Sequence, residues 1–123
     1  MIRQLLTTDA FSEELEPLDA ELAWMLYGLE DAGLVQEQFS VHAYRSAGAT
    51  CEEVALFTFA DEASARTAAN TLEQYLAAQI EINKDYRPAE LSKLKQAFLE
   101  RRGTTVLLTV ANDYETTYEL LVP

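Results

Sequence analysis

The stretch that organises the chain runs from Phe57 to Pro88, the end of a strand and then a long amphipathic helix. Within it Ala65, Ala69, Leu72, Leu76 and Ile80 recur at spacings of three and four, the period of one helix face laid on a sheet. Glu73, Gln74, Gln79, Glu81 and Lys84 fall on the wet side. Asp61 is placed as an N-cap, its carboxylate able to accept from the free N–H groups of the first turn. Glu62 adds negative charge where the helix dipole favours it. Pro88 biases Arg87 away from helical backbone, so the helix is expected over about 61–86.

The flanking segments change period. Phe39, Val41 and Ala43 alternate with Ser40, His42 and Tyr44, the pattern of a half-buried strand, and Glu53 to Phe59 returns as a second strand. A second hairpin is expected from Ala97 to Arg101, a turn at Arg102-Gly103, then Thr105 to Ala111. Its run Val106-Leu107-Leu108-Thr109-Val110 is the most β-like in the chain. Upstream, Asp19 can cap a helix whose Leu22, Met25, Leu26 and Leu29 form one face, with Gly28 and Gly33 as terminators. Trp24 and Tyr27 lie off that stripe, which puts at least one near the surface. Ala89 to Lys95 suits a short helical turn with Leu91 and Leu94 inward. Asn112 or Asp113 can cap a last helix in which Tyr114, Tyr118 and Leu121 share a face. Residues 1–17 read as a short helix at 2–7 and then an irregular arm up to Pro17.

Leu56-Phe57-Thr58-Phe59-Ala60-Asp61 aligns without gaps on Leu107-Leu108-Thr109-Val110-Ala111-Asn112. Each copy ends a strand and runs into a capped helix. The order α-ββα-ββα predicts one α+β domain over 1–123: a four-stranded antiparallel sheet, with the long central helix and the C-terminal helix on one face.

Composition narrows the function classes. The 123 residues carry 21 acidic against 9 basic side chains, a net charge of −12. Residues 1–62 hold 13 Asp/Glu and two Arg, so the acid is concentrated early. Such a field disfavours nucleic acid and anionic membranes and attracts basic partners. The single cysteine, Cys51, allows no intramolecular disulfide. No run approaches 18 apolar residues, so no transmembrane segment is expected, and no signal peptide is visible.

Candidate chemistry is sparse. The nucleophile-and-base pair worth testing is Cys51 with His42, with Glu53 as orienter. A two-residue turn at Ala47-Gly48 would pair Tyr44 with Cys51 and His42 with Glu53, on one face. A three-residue turn with Gly48 left-handed would pair Arg45 with Cys51 and Val41 with Ala55, sending Cys51 to the opposite face from His42. The internal echo favours the second register, since it buries Ala55, Phe57 and Phe59 together. One His and one Cys fall short of a zinc site, no calcium-loop pattern occurs, and the four glycines form no phosphate cradle. No catalytic, metal or cofactor residues are therefore assigned.

The reverse of the sheet is expected to carry His42, Tyr44, Val54, Leu56, Phe98 and Leu107, too apolar for open water. It is the candidate interaction face. The Leu22 stripe is its expected cover, with a second copy of the chain or a partner as the alternatives.

Glu53-Val54-Ala55-Leu56-Phe57, the long helix into Tyr86-x-Pro88-x-Glu90-Leu91, Arg102-Gly103-x-x-Val106-Leu107-Leu108 and the earlier Leu26-Tyr27-Gly28-Leu29 stand in a characteristic order. This arrangement resembles a bacterial family, domain of unknown function 4358, over most of residues 18–121. The resemblance implies a small exported protein, commonly of lipoprotein type, with a leader trimmed ahead of Met1 and a lipid tether upstream. Cys51 lies inside the domain and is not the lipid-bearing cysteine. The function expected is a non-enzymatic, extracytoplasmic binding or protein-interaction domain. A thiol-dependent enzyme using Cys51 and His42, or a cytoplasmic regulatory domain, are the alternatives.

Overall fold

The computed structural model of the chain describes Leu6 and residues 10–121. The short helix expected over 2–7 lies outside the described residues apart from Leu6. Five strands form one antiparallel sheet: β1 (Glu16–Leu18), β2 (Phe39–Arg45), β3 (Glu53–Phe59), β4 (Phe98–Arg102) and β5 (Thr105–Val110). Their spatial order is β1-β2-β3-β5-β4. Among the described residues four helices of five or more residues accompany the sheet: α1 (Ala20–Leu26), α2 (Glu62–Tyr86), α3 (Leu91–Lys95) and α4 (Tyr114–Leu121). Short 3-10 turns precede β2 and α3.

The fifth strand corrects the expected count of four. β1 lies in the segment read as an irregular arm and contains Pro17, which pairs with Tyr44. Proline has no N–H to give a ladder and is tolerated at a sheet edge, the position β1 occupies.

α2 is the spine. Its 25 residues give a rod of about 37 Å. The Asp61 carboxylate accepts from the Ser64 N–H at 2.7 Å, closing the first turn. Ala65, Ala68, Leu72 and Tyr75 are buried against the sheet. The expected Ala69, Leu76 and Ile80 are only partly covered. The buried row is rotated about one residue, since small Ala65 and Ala68 let the backbone approach.

The front of the sheet presents Ala55, Phe57, Phe59, Val106, Leu108 and Val110 toward α2 and Val41 and Ala43 toward α1, as alternation predicted. α1 packs on this same face. It buries Ala23, and Tyr27 and Leu29 just past it, while Leu22 and Met25 are 54% and 53% exposed. The stripe expected from Leu22 is thus split, Leu22 and Met25 facing outward while Leu26 and Leu29 pack on the front core, and it does not cover the reverse face. Gly28, with φ of 79°, turns the chain out of the helix, which ends after seven residues and so carries no longer stripe. Tyr27 is fully buried, and half-buried Trp24 donates from Nε1 to the Leu34 carbonyl at 2.6 Å.

The first hairpin pairs Val41 with Phe57, Ala43 with Ala55 and Arg45 with Glu53. Both short turns considered around Gly48 are replaced by a longer connection over 46–52. Ser46 Oγ accepts from the Gly48 and Thr50 N–H groups, and Ser46 N donates to the Glu52 carbonyl. Relative to the three-residue turn the register moves by two, which preserves the face of every side chain. In the second hairpin Arg102 pairs with Thr105 around Gly103-Thr104.

α4 also departs from expectation. It lies on the reverse face, where Leu121 joins Leu15, Val54 and Leu107 in a second core. Its cap is Asp113, which accepts from the Thr116 N–H. The cap falls three residues beyond Val110, whereas Asp61 falls two beyond Phe59. The echo therefore ends one residue before the second helix begins, and the two helices leave the sheet toward opposite faces.

Candidate functional site

Two regions hold the chemistry-bearing residues. The first is inside the front core. Glu53 opens β3 with its side chain turned inward and is 1% exposed. The Tyr27 hydroxyl donates to Glu53 Oε1 at 2.6 Å and the Tyr75 hydroxyl to Oε2 at 2.7 Å. The two rings meet edge to face at 4.9 Å. Burial pushes the Glu53 carboxyl above its ordinary value, against the two hydroxyls and the charge of Arg45. Burial likewise pushes both phenols well up.

Beside it, Glu52 points away from Glu53 and takes the Ser12 backbone N–H at 2.7 Å, the Ser12 hydroxyl, and Lys93 Nζ at 2.9 Å. Lys93 also reaches Glu90 at 3.1 Å, and Glu90 accepts from the Cys51 N–H at 2.9 Å. Burial opposes the Lys93 charge, but the two carboxylates outweigh it and raise its pKa. This chain of contacts joins residue 12, the start of β3 and α3. Its members are bonded to one another, which is what cross-linking requires.

Cys51 is buried in the front core and its thiol is pushed up to about 12, by burial first and then by the charge of Glu90. His42 sits in mid-β2, paired with Leu56, with its side chain exposed on the reverse face. The structure does not bring the two together, and Glu53 is turned to the front, committed to the tyrosines. Cys51, His42 and Glu53 are thus not brought together as nucleophile, base and orienter. Among the described residues no group of three or more His, Cys, Asp and Glu is placed to hold a metal ion.

The second region is the reverse face. His42, Tyr44, Val54, Leu56, Phe98 and Leu107 do share it. Val54 and Leu107 are buried under Leu15 and Leu121, Tyr44, Leu56 and Phe98 are half-buried, and His42 is open. Between Leu56, Phe98, Leu107 and Leu121 only about 40 Å³ is left, room for a water or two. Toward β1 the described residues leave the cover incomplete. A recess of about 300 Å³ opens between Leu6, Phe11, Leu15, Pro17 and Tyr44, with Glu13 and Glu14 on its rim. Glu13 is steadied by the Ser46 hydroxyl at 3.1 Å. Sequence reasoning found Tyr44 but missed the recess, whose other walls come from Leu6, in the segment read as a short helix, and from the arm read as irregular.

A family model matches residues 10–111. The chain belongs to the family described as Domain of unknown function (DUF4358). No curated protein and no solved structure is detectably similar to it. The matched span of this DUF4358 domain holds the whole sheet, both front helices and the Glu52–Lys93–Glu90 chain. It stops short of α4, the helix that completes the reverse core.

Proposed function

We propose that this DUF4358 domain is a non-enzymatic, extracytoplasmic interaction module of an exported, lipid-tethered bacterial protein. Its partner is a protein that offers a basic side chain flanked by apolar ones to the recess beside Tyr44. The observation that carries this reading is the recess itself: an apolar and aromatic floor under two carboxylates, in a chain of net charge −12. An amphipathic cationic segment matches both parts, burying its stem on Phe11, Pro17 and Tyr44 and placing its charge at Glu13 and Glu14. The buried acids, phenols and thiol support it from the other side, because they are already engaged in holding the fold.

Titration calorimetry with a short peptide of alternating lysine and leucine tests the surface. The protein should bind it, more weakly at high salt, and Tyr44→Ala should lose about tenfold. Equal affinity of the Tyr44→Ala variant would overturn the site. Fractionation of cells carrying the tagged gene product tests location: recovery with the membrane or outside the cytoplasm is expected, and a cytosolic product contradicts it.

A further inference from the structure

We propose that Glu53 is a proton-operated clasp that sets how firmly the two front helices are held to the sheet. The geometry is a three-way junction. One carboxyl group, rooted in β3, is met on its two oxygens by hydroxyls from two different elements: Tyr27, at the end of α1, and Tyr75, in the middle of α2. α1 is only seven residues long and exposes its Leu22 and Met25, so its attachment rests on Ala23, on half-buried Trp24 and Leu26, and on Tyr27 and the residues after it.

The groups facing Glu53 make it unusual for a buried acid. Arg45 is its cross-strand partner, yet among the described residues the buried Arg45 Nε has no hydrogen-bond partner, and no ion pair closes with Glu53. The charge is therefore offset at a distance and is not neutralised by contact. From β5 the facing residue is Val110, which brings no charge. Cys51 lies beyond Tyr75, with Glu90 and Lys93 behind it.

Proton bookkeeping at the junction gives two distinct arrangements. As a carboxylate, Glu53 accepts from both phenols. As an acid, it donates to one phenol oxygen and accepts from the other, keeping both helices linked and removing the cost of a charge in the core. Burial lifts the folded-state pKa above the unfolded one. The sign follows: the stabilisation is complete below the ordinary glutamate range and is lost as pH rises through the folded value. Acid tightens the clasp, and alkali loosens α1 first.

Trp24, three residues before Tyr27 and the only tryptophan, reports on α1 directly. Its emission, followed between about pH 4 and 9, should titrate in the wild type and stay flat in Glu53→Gln. Amide exchange of residues 20–27 should accelerate over the same pH interval in the wild type alone. Tyr75→Phe removes one donor to the carboxylate and should move the midpoint up by about one pH unit. It serves as the independent variant should Glu53→Gln fold poorly. A wild-type signal that does not titrate, the same titration in Glu53→Gln, or an unmoved midpoint in Tyr75→Phe overturns the proposal. A merely structural role would lower stability in these variants without removing or shifting a pH transition.

Discussion

Lys93 Nζ stands 2.9 Å from a Glu52 carboxylate whose side chain is wholly removed from solvent. The two are forty-one positions apart, and the contact fastens α3 across the beginning of β3. Removing the ammonium while keeping the stem leaves the Glu52 carboxylate, among the described residues, with Ser12 alone. Lys93→Met should cost about 3 kcal/mol, the scale of breaking one side of a buried pair. Chemical denaturation checks it, and a loss under about 1 kcal/mol would mean that the ion pair is no more than a surface contact.

The turn after α1 makes a second demand on sequence. Gly28 and Gly33 both have positive φ, 79° and 85°. A Cβ at Gly28 would meet Thr71 Cγ2 at 3.3 Å, whereas one at Gly33 would meet nothing within 4 Å. Gly33→Ala should cost about 1 kcal/mol, from backbone conformation alone. Gly28→Ala should cost more, because α1 must move off α2, and a comparison of melting temperatures of the two variants reads the difference.

On the reverse face, Thr109 is 1% exposed and its hydroxyl has no hydrogen-bond partner among the described residues. Replacing it with a methyl of nearly the same shape removes an uncompensated polar group. Thr109→Val should stabilise by about 1 kcal/mol. A lower melting temperature in the variant would show that the hydroxyl is in use.

The architecture was legible wherever a period ran long enough to count. α2, the two hairpins and the division of β2, β3 and β5 into two faces follow from alternation and from Asp61. The failures have physical causes. Tyr75 stands at the 65, 68, 72, 75 spacing beside the expected Leu76, and an aromatic with a hydroxyl gives no burial signal until an acid is found facing it. β1 is three residues long and contains proline, so local propensity argued against it and only the β2 edge explains it. The loop over 46–52 is shaped by Ser46 and Thr50 hydroxyls, whose turn chemistry overrides the glycine at 48. The recess beside Tyr44 depends on how residues 11–17 fold back on the sheet, a long-range outcome with no local periodicity.

The acid limb of stability should be governed by different groups from the clasp. Burial works against the Glu90 charge, but the Cys51 N–H and Lys93 outweigh it and hold its carboxyl below the ordinary 4.5. Its contribution is therefore present above that value and lost as pH falls through the depressed one. Asp61 and Asp113, held down by the backbone and side chain of Ser64 and Thr116, act in the same direction. Unfolding midpoints in urea should fall steeply below about pH 4, and Glu90→Gln should make that fall shallower. An unchanged slope would remove Glu90 from the account.

The central claim is that the interior acids, phenols and thiol of this domain hold the fold together, leaving recognition to the surface. The pH dependence of Cys51 alkylation in the native protein tests it most directly. The account predicts a thiol that reacts slowly at neutral pH, with an apparent pKa far above the ordinary cysteine value of about 8.5, and that becomes fast only when denaturant opens the core. Rapid native-state alkylation with a pKa at or below the ordinary value would contradict it.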